Sequence, residues 1–94
     1  MTPLTHTEIS TALKNLPGWQ LERGAIVQTF EFADFVAAMA FVNRVAVAAE
    51  AAGHHPDIDI RWNHVRLALS SHDAGGITSK DIDLADSILH LTHL

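Results

Sequence analysis

The chain has 94 residues, enough for one domain over 1–94, and its 48% hydrophobic content excludes a disordered polymer. A formal net charge of −5 with six Lys and Arg leaves no concentrated basic face for nucleic-acid phosphates or an acidic membrane surface. No apolar run reaches the ~20 residues of a bilayer span, and the lack of cysteine removes disulfides and thiolate chemistry.

Thr5-His6-Thr7-Glu8 has the spacing of a capping box, with Leu4 and Ile9 at the staple positions. A helix follows, with Ile9, Leu13 and Leu16 on one face, and Pro17-Gly18 is expected to end it. Trp19–Leu21 and Ile26–Phe32 read as two strands joined by a turn at Glu22-Arg23-Gly24-Ala25. In the second strand Ile26, Gln28, Phe30 and Phe32 share one face, and Val27, Thr29 and Glu31 the other. Asp34 is the expected N-cap of a long helix reaching about Ala52, with Gly53 as its stop. Its stripe is Phe35, Met39, Val42, Ala46 and Ala49, widened by Val36, Ala40, Val47 and Ala51. So much apolar circumference predicts burial on more than one side and, in so short a chain, self-association.

After His54-His55-Pro56, the segment Asp57 to Trp62 alternates, with Ile58, Ile60 and Trp62 against Asp57, Asp59 and Arg61. Asn63-His64 is read as the tight turn, with Asn63 supplying a positive φ. The next strand places Val65, Leu67 and Leu69 on one face, and Arg66, Ala68, Ser70 and His72 on the other if the pleat continues. Ala74-Gly75-Gly76 turns the chain into a last helix, opened by Thr78 with Asp81 in the capping position and Ile77 and Ile82 as staple. Helix, hairpin, long helix, hairpin, helix implies a two-layer α+β domain: a four-stranded antiparallel sheet with the helices packed on one face.

Seven histidines need weighing. His6, His64, His90 and His93 fall at helix ends or a hairpin tip and suit surface roles. His54 and His55 stand where the long helix stops, and Pro56 forces His55 towards extended backbone. Counting outward from Asn63-His64, Trp62 faces Val65, Asp57 faces Ser70 and His55 falls opposite His72, so the three histidines converge at one end of the sheet. Glu50 and Asp81 border the same end. Three readings fit this cluster: ordinary loop-end polar residues, a zinc or iron site, and acid–base catalysis by imidazoles that titrate near neutrality. The usual H-x-H and H-x-x-x-H ligand spacings are absent.

The longer pattern is more specific. Glu50-Ala51-Ala52-Gly53-His54-His55-Pro56-Asp57, then Trp62-Asn63-His64-Val65, then the run from Leu67 through Ser70-Ser71-His72-Asp73-Ala74-Gly75-Gly76-Ile77-Thr78-Ser79-Lys80-Asp81 resembles the signature of the pterin-4a-carbinolamine dehydratases. The resemblance implies an enzyme that dehydrates 4a-hydroxytetrahydrobiopterin to quinonoid dihydrobiopterin with no cofactor and no metal. It implies His54, His55 and His72 as the catalytic centre, and Glu50, Asp73, Asp81, Ile58 and Lys80 as substrate-binding positions. His54 and His72 would transfer protons, His55 would position the 4a-hydroxyl or share the acid role, and Asp81 would orient an imidazole or bind the pterin ring. It further implies a homodimer or homotetramer with a pterin as its small-molecule partner; the expected location, read from the missing secretory pattern and cysteines, is cytoplasmic. The other expectation on this fold is a non-catalytic binding module, a dimerisation cofactor or assembly chaperone. Three departures bear on the choice of pterin: Ile58 where an aromatic is common, Trp62 for Tyr, and Lys80 for Arg.

Overall fold

The computed structural model describes residues 2–92, so His93 lies outside the described residues. The elements in chain order are α1 (His6–Leu13), β1 (Gln20–Glu22), β2 (Ala25–Glu31), α2 (Phe35–Ala52), β3 (Asp57–Arg61), β4 (His64–Leu69), a short 3-10 turn (His72–Ala74) and α3 (Ser79–Leu91). The strands form one antiparallel sheet in the order β1-β2-β4-β3. This is the expected α+β arrangement, and its topology positions the site. Helix α2 carries the chain from β2 to the far edge of the sheet, and β4 then returns between β3 and β2. The start of β3, the end of β4 and the entry to α3 therefore meet at one end of the molecule.

Local chemistry sets the helix boundaries. The Thr5 hydroxyl accepts from the Glu8 N–H at 3.1 Å while the Glu8 carboxylate accepts from the Thr5 N–H at 2.8 Å, which completes the capping box of α1. The helix ends at Leu13, before Pro17. Lys14, Asn15 and Leu16 donate to carbonyls three residues back, so the last turn tightens and delivers Leu16 into the core from beyond the helix. Asp34 caps α2 by accepting from Ala37 N–H at 2.8 Å, and Gly53 closes it in the left-handed conformation, φ 62°.

The face that α2 buries is Ala38, Phe41, Val42, Val45 and Ala49. The stripe expected from periodicity is rotated away from this, since Phe35 and Ala46 are exposed. A helix apolar around most of its surface has no unique inward face by spacing alone. Its rotation is set by Phe41, whose ring lies 4.8 Å from that of Phe30 and 5.0 Å from that of Phe32, with Trp19 edge-on to Phe30 at 6.2 Å. Val36, Ala40, Val47 and Ala51 point outward in the single chain, and one side of α2 therefore remains apolar and uncovered. By length and composition α2 would pass for a membrane span, but its inward face is the protein's core, completed by Ile26, Val65, Leu67 and Leu69 of the sheet and Leu84 and Ile88 of α3.

The second hairpin differs from the sequence reading. Arg61 pairs with His64, Ile60 with Val65 and Asp57 with Ala68, so the turn is Trp62-Asn63 and His64 begins β4. The positive φ of 48° falls on Trp62 rather than Asn63. Asn63 is buried and committed elsewhere: its Nδ2 donates to the Phe32 carbonyl at 2.8 Å, while its own carbonyl accepts from the Phe32 N–H at 2.9 Å. Those two bonds tie the hairpin to the residues before α2 and decide which residue occupies the turn's left-handed position.

Candidate active site

His54 is placed by the end of α2. The Gly53 N–H donates to the Glu50 carbonyl and the His54 N–H to that of Ala49, at 3.2 and 3.1 Å, the second bond spanning a Schellman-type closure. The backbone of His54 is thus anchored to the helix, and its ring turns under the N-terminus of α3. There Nε2 lies 2.5 Å from Oδ1 of Asp81. Asp81 is fully buried, and the imidazole is 12% exposed.

Asp81 also completes the capping box of α3, accepting at Oδ2 from the Thr78 N–H at 2.9 Å. The Ser71 hydroxyl donates to the same Oδ2 at 2.8 Å and lies 2.8 Å from the Thr78 hydroxyl. One carboxylate therefore serves two ends: Oδ2 holds the helix start and Oδ1 holds the imidazole. With both oxygens accepting, His54 donates from Nε2, and in the neutral ring the lone pair is on Nδ1.

The other two histidines are more open. His55 Nε2 meets Glu50 Oε2 at 2.5 Å, but the side chains are 64% and 79% exposed, so this pair is solvent-screened and orients without adding much stability. His72 does not end a strand. β4 stops at Leu69, and the Ser71 backbone pairs with Gly76, Ser71 N–H donating to the Gly76 carbonyl at 2.8 Å. The bridge pinches off a tight loop with Gly75 at φ 76°, and His72 rides on it. The register from which His55 was placed opposite His72 is thus shifted by two residues, because the turn is one residue earlier than expected. The convergence survives because the topology, more than the register, brings the two loops together.

Gly53, His54, His55, Ser70, Ser71, His72, Asp73, Ala74 and Lys80 line one cavity of about 380 Å³, within the roughly 300–1,000 Å³ usual for small-molecule sites. His54 and Lys80 also border a smaller recess of about 140 Å³ towards α3. Of the positions singled out in the sequence, the structure brings His54, His55, His72, Asp73 and Lys80 to the larger cavity. Asp81 and Glu50 do not line it: Asp81 is buried against His54, and Glu50 meets His55. Ile58 lies on the exposed edge strand outside the lining. His64 lies 3.9 Å from Glu31, and His90 Nδ1 approaches the Asp86 carbonyl at 2.8 Å; neither lines this cavity. Among the described residues, no three of the His, Asp and Glu side chains form a ligand set for one metal ion. Ser70 and Ser71 were missed as site residues. The available signal was the capping box, because an N3 carboxylate directed back at its helix start is within reach of whatever precedes the cap.

The chain is similar to known proteins over nearly its whole length. The family model described as pterin 4 alpha carbinolamine dehydratase matches residues 2–91. A provisionally named pterin-4-alpha-carbinolamine dehydratase of Acidobacterium capsulatum is 61% identical over 88 residues, covering 94% of this chain and 96% of its own. A protein of the same provisional name from Chloroflexus aurantiacus is 59% identical, with coverage of 94% and 95%. Among solved structures, a transcriptional coactivator/pterin dehydratase from Brucella melitensis superposes with a TM-score of 0.92 at 35% identity, over 96% of this chain and 98% of that one. A pterin dehydratase-like protein identified as a RuBisCO assembly factor in the alpha-carboxysome shares the fold, at a TM-score of 0.63, 22% identity and coverage of 78% and 84%.

Proposed function

Because the chain belongs to the pterin 4 alpha carbinolamine dehydratase family, we propose that it eliminates water from a pterin-4a-carbinolamine such as 4a-hydroxytetrahydrobiopterin, giving the quinonoid dihydropterin. The observation that carries the reading is the buried His54–Asp81 pair opening onto a cavity that His55 and His72 also line. The elimination needs a proton delivered to the departing 4a-hydroxyl and a proton removed from the ring nitrogen beside it. Nothing is oxidised or reduced, so imidazoles suffice and no cofactor is required.

His54 suits the base. Asp81 fixes its Nε2–H, so the free Nδ1 lone pair can take the substrate proton, and the carboxylate stabilises the imidazolium that forms. His72, on its open turn, suits the acid that protonates the hydroxyl, with His55, held by Glu50, positioning that hydroxyl or sharing the acid role. Asp73 and Lys80 supply polar contacts for the amide and amine edges of the pterin. Stopped-flow dehydration of chemically generated 4a-hydroxytetrahydropterin tests the reading. Purified protein is expected to exceed the uncatalysed rate, and equality of the two rates would remove the proposal.

A second reading concerns partners. Val36 and Val47 of α2 are 76% and 72% exposed, and Ile58 and Ile60 of β3 and Trp62 of the turn after it are exposed as well. Such surface supports self-association as a homodimer or homotetramer, and would also suit a protein-binding role as a cofactor or assembly chaperone. Light scattering on the wild type and on Val47→Glu separates monomer from oligomer.

A further inference from the structure

The hydrogens around Asp81 can be counted. Ser71 has one hydroxyl hydrogen and donates it to Asp81 Oδ2 at 2.8 Å. Its 2.8 Å contact with the Thr78 hydroxyl must then run from Thr78 to Ser71. Thr78 Oγ1 in turn accepts from the Lys80 N–H at 3.3 Å, a backbone donor that cannot reverse. One assignment satisfies every group: Lys80 N–H to Thr78 hydroxyl, Thr78 to Ser71, Ser71 to Asp81, with the Thr78 N–H as a second fixed donor to Oδ2. The hydrogens all point towards the carboxylate, and Asp81 and Thr78 are fully buried, with Ser71 8% exposed. Chains of this kind polarise one another and act as a unit.

From this geometry we infer that Ser71 is a positioning residue for the dehydration, acting on His54 through Asp81. Its hydroxyl holds Oδ2 on the cap side, which leaves Oδ1 turned to the imidazole and keeps Asp81 an acceptor at both oxygens. The cap alone would not do this. The Thr78 N–H fixes one oxygen but leaves the carboxylate free to swing about that bond. Ser71 is the second fixed point, delivered by the backbone bridge to Gly76 that also shapes the His72 loop. The inference rests on the acid–base reading of the site, and it differs from a direct substrate contact, which the position of Ser71 on the cavity wall would also allow.

The test uses the full chain with Ser71→Ala and Ser71→Thr. Stopped-flow dehydration gives kcat and KM, and nitrogen-edited NMR of the ligand-free protein follows the His54 Nε2–H resonance, assigned by its loss in His54→Gln. For Ser71→Ala, kcat is expected to fall about ten- to hundredfold, the worth of a buried hydrogen bond to a charged group. KM should stay within about twofold, and the His54 resonance should move upfield and exchange faster; Ser71→Thr restores all three. Should Ser71→Ala not fold, Ser71→Cys, of similar shape and a weak donor, carries the same measurements with an intermediate loss. Wild-type kcat in the folded alanine or cysteine variant overturns the inference. So does a raised KM at constant kcat, which marks a ligand contact, or a lost kcat with an unchanged His54 resonance. If the wild type itself does not exceed the uncatalysed rate, the dehydratase reading fails, and the resonance alone decides: unchanged in Ser71→Ala overturns the relay, shifted supports it.

Discussion

Replacing Asp81 with Asn changes one atom and reverses the direction of one hydrogen bond. The Thr78 N–H can only donate, and Ser71 donates beside it, so the side-chain oxygen of Asn must take the Oδ2 position. Its NH2 group is then forced to the Oδ1 position, where it donates to His54 Nε2. His54 must therefore carry its proton on Nδ1, and the nitrogen proposed as the base loses its lone pair. Helix α3 keeps its cap and the buried oxygen keeps both donors; three charge-assisted bonds become neutral, a cost offset in part by the removal of a buried charge, so the net folding cost is about 1–3 kcal/mol. That leaves a small domain, stable by roughly 5–15 kcal/mol, folded. Losing a correctly poised base should lower kcat by ~10²–10⁴-fold, or about 2.7–5.4 kcal/mol of barrier. Stopped-flow dehydration gives the rate, and circular dichroism with a thermal melt shows that the variant is native. A natively folded Asp81→Asn protein with wild-type kcat would refute the assignment of His54 as a base fixed by Asp81.

Other substitutions separate the parts of the site and the fold. His72→Ala should abolish most turnover with an unchanged thermal melt, whereas Glu50→Gln, at a 79% exposed position, should change kcat by less than about tenfold in the same assay. Gly53→Ala meets no atom within 4 Å, so its cost is conformational, about 1 kcal/mol in urea denaturation. Because Gly53 sets the direction of His54, kcat should fall as well. Phe41→Ala removes the ring between Phe30 and Phe32 and should cost ~3–5 kcal/mol by the same denaturation.

Much of the architecture was legible because its signals are local. The capping boxes at Thr5-Glu8 and Thr78-Asp81, the Asp34 cap and the Gly53 stop each depend on residues three or four apart, and each appears as read. The buried alternation of Val65, Leu67 and Leu69 is likewise a property of the strand itself. Even the gathering of His54, His55 and His72 was legible, because they flank the second hairpin, whose antiparallel strands bring the start of one beside the end of the other.

What the sequence could not fix are quantities that belong to pairs of distant elements. The face that α2 buries depends on where Phe30 and Phe32 leave room for Phe41, and no periodicity can choose among equally apolar sides. The hairpin turn moved to Trp62-Asn63 because Asn63 bonds to Phe32, 31 residues away in sequence. The partner of Asp81 was open between an imidazole and a ligand. Packing α3 against the end of α2 decided it, placing a wholly buried carboxylate against His54, 27 residues earlier, with Ser71 beside it. Spacing along the chain determines which groups reach one end of the sheet; only packing in three dimensions determines which hydrogen each of them donates, and to whom.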